Sequence, residues 1–287
     1  MKSNAIKDTV MKAVFFIAAC TSVLAVILIC VFLFANGIPA MGKIGVFKFL
    51  LGQTWKPGNN IFGILPMILG SIYVTAGAII FGVPLALLTS IFLAKYCPKK
   101  AYGICKAGIN LMSGIPSVVY GFFGLVLMVP LIKNVFGLPN GNTMLTASIL
   151  LGIMILPTVV GVTESALQSV PESYYEGSLA LGATHSQSVY RTIVPAAKSG
   201  IIAGIVLGIG RAVGETMAVI MVAGDQARMP KGLMDGVRTL TSNIVLEMGY
   251  AADLHREALI ATGVVLFVFI LIINLAVSLL NRRSGNE

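Results

Sequence analysis

Five apolar runs shape this chain: residues 12–35, 64–94, 107–131, 143–170 and 258–280. Each reaches the length of about 20 residues that a helix needs to cross the hydrocarbon core of a bilayer. The runs are continuously apolar and lack the period-two alternation of barrel strands, so helices are expected. With 57% hydrophobic and 11% charged residues, the chain cannot be a water-soluble domain, in which about a quarter of residues carry charge. A sixth run, residues 199–223, differs from the others because its middle carries Arg211 and Glu215. A charge at the centre of a spanning helix costs about 2.5–3.5 kcal/mol on insertion scales, so such residues face a bundle interior or a water-filled path. The expected fold is an all-α integral membrane protein with six transmembrane helices.

On a continuous helix, Arg211 and Glu215 share one face about 6 Å apart along the axis. A structural salt bridge is one reading and a transport pathway the other. The arginine precedes the acid, the weaker orientation for an intrahelical pair, and buried ion pairs seldom stabilise more than apolar replacements, so the pathway reading is preferred. Ala196, Gly200, Gly204, Gly208 and Ala212 repeat every four residues and form a small-residue face for close helix approach. Arg211 lies about 60° from Gly208 around the helix and is expected to point into the bundle or a subunit seam.

Basic residues set the expected orientation. Lys2, Lys7 and Lys12 precede the first run, Lys95, Lys99, Lys100 and Lys106 follow the second, and Arg282 and Arg283 follow the last. Six spans place all of these on one side, which should be cytoplasmic, in a plasma (inner) membrane. The first run exceeds the h-region of about 7–15 residues of a signal peptide and reads as an uncleaved helix. The opposite-side loop, residues 36–63, holds Trp55, expected at the membrane interface. Cys20, Cys30, Cys97 and Cys105 match no common metal spacing and are expected as free thiols. The net charge of +9 serves orientation and anion attraction. No nucleic-acid motif accompanies it.

Two segments interrupt the helical pattern. Within residues 113–121, Pro116 removes an N–H and frees a carbonyl. Either backbone groups face a cavity here, or the helix is kinked with Ser113 and Ser117 bonded to their own backbone. Between the fourth and fifth spans, residues 171–198 form the longest loop on the basic side. Residues 174–181 have helical spacing, Gly182 breaks it, and a second short helical pattern runs over 186–193 and stops before Pro195. Two short helices protruding from the membrane suit docking of a soluble partner. Glu164, His185 and His255 are expected to cap, pair or face water.

Glu176, Gly177 and Ser178, then Gly182 after three residues, then Thr192 to Pro195 after nine, resemble the coupling loop of ABC importer permeases, Glu-Ala-Ala, three residues, Gly, nine residues, Ile-x-Leu-Pro. The Glu, Gly and Pro anchors are kept; Gly177, Ser178, Thr192 and Val194 depart from the pattern. Residues 114–121, 180–184 and 210–217 are similar to phosphate-importer permeases, to the PstC type more than to its paralogous PstA type. Sulfate and molybdate permeases share the Arg-Ala-x-Gly-Glu portion and usually continue differently. The resemblance implies a type I ABC importer permease, one domain over residues 1–287 with a cytoplasmic coupling loop at 171–198. It also implies a second, PstA-like permease, two ATP-binding cytoplasmic subunits and an extracytoplasmic phosphate-binding protein as partners.

The chain contains no Gly-x-x-x-x-Gly-Lys-Ser/Thr motif, so ATP hydrolysis falls to a separate subunit, and the chain is expected to be non-catalytic and to need no cofactor. Glu176, Gly177, Ser178, Leu179, Leu181, Gly182 and Pro195 are the expected ATPase-coupling residues, with Leu179 and Leu181 filling a partner groove. Arg211, Glu215, Thr216, Ser113 and Ser117 are the expected substrate pathway. Arginine offers a fixed fork to tetrahedral oxyanions, and Glu215 would hold the fork and accept a hydrogen bond from protonated phosphate while repelling sulfate. The alternatives are a sulfate or molybdate permease and a stand-alone carrier driven by an ion gradient.

Overall fold

The computed structural model describes residues 2–284, with side chains for residues 10–276. The orientation signals Lys2, Lys7, Arg282 and Arg283 lie outside the described side chains. Five segments are long and apolar enough to cross a membrane: Val10–Ile44, Leu65–Tyr96, Ser117–Phe136, Met144–Gln168 and Asp253–Ala276. They belong, in chain order, to α1 (Lys2–Ile44), α3 (Leu65–Ile91) with a terminal π turn, α5 and α6 (Ser117–Phe123, Val129–Phe136) joined by a π turn, α7 (Met144–Gln168) and α14 (Asp253–Ser284). α2 (Val46–Leu51) and α4 (Lys99–Gly114) flank α3. The sixth apolar run begins as α11 (Lys198–Gly214), bent by 69° against the helical segment before it.

α7 is the centre of the bundle. Its most apolar stretch is 61% buried, whereas that of α1 is 0% buried, so that stretch of α1 is covered by nothing in this chain. Glycines bring both neighbours onto α7. A Cβ at Gly82 of α3 would stand 2.6 Å from the Gly152 carbonyl oxygen, and one at Gly208 of α11 would stand 2.6 Å from Val159 Cγ2. Gly204 meets Thr163 and Gly200 meets Ala166 in the same way. The small-residue face of α11 therefore packs on α7 within the chain rather than on a subunit seam, through contacts that any larger side chain would force apart. Among the described residues, the second half of α1 is the packed one: Gly37 sits against Ala261 and Val264 of α14, and Phe34 meets Phe267 edge-to-face at 5.9 Å.

Several expectations change. α1 runs through Pro39 to Ile44, nine residues beyond the apolar run. The third span is not residues 107–131: α4 ends at Gly114, Ile115 and Pro116 are extended, and the span starts at Ser117. Pro116 lacks the N–H that would bond the Met112 carbonyl four residues back, and the Tyr120 hydroxyl donates to that carbonyl at 2.8 Å. The freed group is thus satisfied by Tyr120, with a longer bond from the Ile115 N–H (3.4 Å), and not by the two serines. Trp55 is buried within the protein rather than presented on its surface. It lies in a short antiparallel hairpin, β1 (Trp55–Lys56) with β2 (Ile61–Phe62), is 6% exposed, and donates its indole N–H to Glu247 Oε2 at 2.8 Å.

Candidate functional site

α11 stops at Gly214. Glu215 is extended, and a short helix α12 (Met217–Val222) resumes after Thr216. The break satisfies its own backbone. Glu215 Oε1 accepts the N–H groups of Thr216 (3.0 Å) and Ala218 (3.2 Å), and the Thr216 hydroxyl donates to the Gly214 carbonyl at 3.2 Å. Thr241, on α13 (Leu240–Met248), donates to the Glu215 carbonyl at 3.1 Å. Arg211 and Glu215 therefore do not share a helical face, and no ion pair joins them among the described residues. The expected role of Glu215 in holding the arginine fork is corrected: its carboxylate starts α12. Arg211 is half-buried and donates Nη1 to the Thr158 hydroxyl of α7 at 3.1 Å. One neutral bond uses one of five guanidinium N–H donors.

The second broken helix lies beside the first. Gly121 of α5 packs on Ala218 and Met221 of α12, and Gly124 packs on Val222, so the two run parallel. Each helix resumes shortly before this contact, at Ser117 and at Met217, and Ser117 is half-buried. Ser113, one turn earlier, is exposed on α4. Thr158 was not singled out from sequence; a lone threonine next to Pro157 in an apolar run carries no signal until its partner 53 residues away is known.

At the other end, α8 (Glu172–Ala180) carries no buried residue, and Leu181, at 91% exposure, projects from its C-terminus. Leu179 and Tyr174 are also exposed, as are Glu176 and Gly177, while the Ser178 hydroxyl bonds back to the Tyr175 carbonyl at 2.8 Å. Gly182 adopts φ +87°, with N–H bonds from Gly182 to Leu179 and from Ala183 to Ser178 that close the helix end. α9 (His185–Ser188) then starts under a capping box between Thr184 and Gln187. The second helix does not stop before Pro195. It continues through a π turn, Val189–Ile193, into α10 (Val194–Ala196), which carries Pro195, a residue that gives up one backbone bond near the end of the helical segment.

Two carboxylates act as interior hubs. Glu164 of α7, 1% exposed, accepts from Tyr102 (2.6 Å) and Gln168 (3.2 Å) and pairs with Lys106 at 2.5 Å, fastening α4 to α7. Removing one partner of a buried pair costs about 3–5 kcal/mol, which the partial exposure of Lys106 reduces to about 2 kcal/mol. Lys106→Ala is therefore expected to lower the thermal midpoint and yield of detergent-extracted protein, and adding Glu164→Gln should recover most of the loss. Glu247 joins the Trp55 indole, Arg238 (2.6 Å) and His255 (2.8 Å), tying the hairpin, α13 and α14 together. His185 and His255 pair, as expected.

Near that hub Asp225 is half-buried, has φ +48°, and leaves Oδ1 without a hydrogen-bond partner. Burial raises its carboxyl from 3.8 to about 6, with the Arg238 charge only partly opposing the change. A raised carboxyl binds its proton more tightly in the folded state, so stability is full below the ordinary value and is lost as pH rises from 3.8 through about 6. Asp225→Asn, which also tolerates positive φ, is expected to stabilise the protein at pH 8 by about 1 kcal/mol after solvent screening. The gain should vanish at pH 4 in thermal unfolding of the solubilised protein.

A helical membrane bundle whose two broken helices meet beside a half-paired arginine, with exposed short helices at one end, defines a transport component driven from outside the chain. The chain belongs to the family of binding-protein-dependent transport system inner membrane components, whose model matches residues 82–286. It is 36% identical to the probable ABC transporter permease protein YqgH of Bacillus subtilis, over 90% of this chain and 87% of that one. It is 34% identical to the phosphate transport system permease protein PstC of Mesorhizobium japonicum, over 84% and 80%. Among solved structures it is similar to a bacterial ABC transporter importing the polysaccharide alginate (TM-score 0.63, 15% identity, 93% and 96% covered). It is also similar to the inward-facing MetNI methionine ABC transporter (TM-score 0.61, 21% identity, 80% and 99% covered). These likenesses bear out the type I ABC importer permease fold.

Proposed function

We propose that this chain is the permease subunit of an ATP-driven importer that carries inorganic phosphate across the membrane. The observation that carries the reading is Arg211: a guanidinium held by one neutral hydroxyl, in the last turn of α11 before its break, in a chain related to permeases named for phosphate transport. Its unused N–H donors suit a tetrahedral oxyanion. Ser117 and Thr216 offer hydroxyls beside the two helix breaks, and Ser113 lies at the mouth of the path. Glu215 holds α12 through Oε1, which leaves Oε2 to accept the proton that phosphate keeps near neutral pH and sulfate lacks.

The end bearing α4 and residues 171–198 is the cytoplasmic one, with both termini on that side. There Leu179 and Leu181 enter a groove of an ATP-binding subunit, Glu176, Gly177 and Ser178 form the facing turn of the helix, Gly182 sets the corner, and Pro195 carries motion into α11. A PstA-like second permease completes the pore, and a phosphate-binding protein docks on the hairpin end. Stimulation of ATP hydrolysis in the purified complex by phosphate-loaded binding protein tests the substrate. Stimulation by the sulfate-loaded form alone would favour a sulfate permease.

A further inference from the structure

Covalently, the α8–α9 loop is fastened at two places, to α7 through Pro171 and to α11 through Ala197. Two attachment points leave a rigid body free to rotate about the line that joins them. A third contact removes that freedom, and the structure supplies one. The π turn Phe92–Tyr96 ends α3 and carries Tyr96 toward α9. The Tyr96 ring meets the His185 imidazole edge-to-face at 4.8 Å, and its hydroxyl lies 3.3 Å from the Ser186 hydroxyl. On the other side, the Tyr175 hydroxyl of α8 lies 2.8 Å from His185 Nδ1, and Lys95 stands 6.0 Å above the Tyr175 ring. Beneath the clasp, Ile91 of α3 belongs to one apolar cluster with Val170, Val189 and Ile193.

We infer that the Tyr96–His185–Tyr175 clasp is a force-transmitting joint that passes displacement of the α8–α9 loop directly into the second span, in parallel with the route through Pro195 into the fifth. Resting on the importer reading above, this makes His185 a positioning residue for coupling. α3 is well placed to use such motion, because Gly77 and Gly82 pack it closely on Ser148 and Gly152 of α7, the centre of the bundle. The route into α11 turns through 69° at Ala197, so it delivers displacement along a different direction from the one α3 receives.

The test uses the assembled transporter in proteoliposomes and reads phosphate carried per ATP hydrolysed. In His185→Ala, hydrolysis is expected to stay close to wild type while that ratio falls about five-fold or more, the lower end of a typical coupling energy. Tyr96→Ala should do the same, giving the reading from the membrane side should His185→Ala fail to assemble. Tyr96→Phe keeps the ring contact and should restore most of the ratio. An unchanged ratio in both alanine variants overturns the joint. So does a parallel loss of hydrolysis and uptake with release of the ATPase, which marks a docking role. A wild-type complex that hydrolyses ATP but carries no phosphate overturns the substrate reading instead. The joint is then read from the ATP-dependent signal of a probe on Ile80→Cys of α3, lost in His185→Ala if the joint acts and kept if it does not.

Discussion

Arg211→Ala is expected to reduce phosphate uptake by about 10- to 100-fold, the range of one charge-assisted hydrogen bond of about 1.5–3 kcal/mol, and further if the anion uses the fork twice. The protein should still insert and assemble. Among the described residues the side-chain bond lost is the one to Thr158, a half-buried contact between α11 and α7, whose packing rests on Gly200, Gly204 and Gly208. Arg211→Lys keeps the charge but loses the planar fork, so intermediate uptake is expected. Uptake assays on membrane vesicles, with immunodetection of the inserted subunit, separate the outcomes. Disappearance of the protein from the membrane would instead assign Arg211 a structural role.

Gly182→Val is the second large effect. A Cβ at Gly182 meets nothing within 4 Å, so the substitution creates no clash. The strain comes from φ +87°, which a β-branched residue adopts at a penalty of about 1–3 kcal/mol, here at the corner between α8 and α9. The corner is expected to reorganise, turning the exposed Leu181 away and costing ATP-driven uptake while the spans stay inserted. Gly182→Asn, whose side chain tolerates left-handed backbone, should retain much of the activity. Gly177→Ala provides the control: Gly177 lies inside α8 with open space around it and should be neutral. Wild-type uptake in Gly182→Val would contradict the loop's part in coupling.

The spans were legible because hydropathy over 20 residues is a strong local signal, and the glycine face of α11 was legible because its period fixes one side of a helix. What escaped was set by geometry that no window reports. The α11 break depends on Glu215 turning its carboxylate to the N–H groups of Thr216 and Ala218, a capping arrangement hidden inside an apolar run. With hindsight, Gly214 ahead of an acid and a threonine is a helix-stop and helix-start signal read here as continuous helix. Pro116 did announce its break, yet the group that satisfies the freed carbonyl, Tyr120, sits on the far side of it. Trp55 looked interfacial because its partner Glu247 lies 192 residues away, beyond any local pattern. Pro195 was read as a stop because a π turn before it was not foreseen.

The central claim is that this chain is an anion path opened by subunits outside it. Reconstitution into vesicles with the candidate partners added one at a time tests it most directly. Phosphate should accumulate only when the second permease, the ATP-binding subunits, the binding protein and ATP are all present, and Arg211→Ala should cut that uptake by about 10- to 100-fold. Phosphate uptake by this chain alone, without ATP and under an imposed proton or sodium gradient, would contradict it.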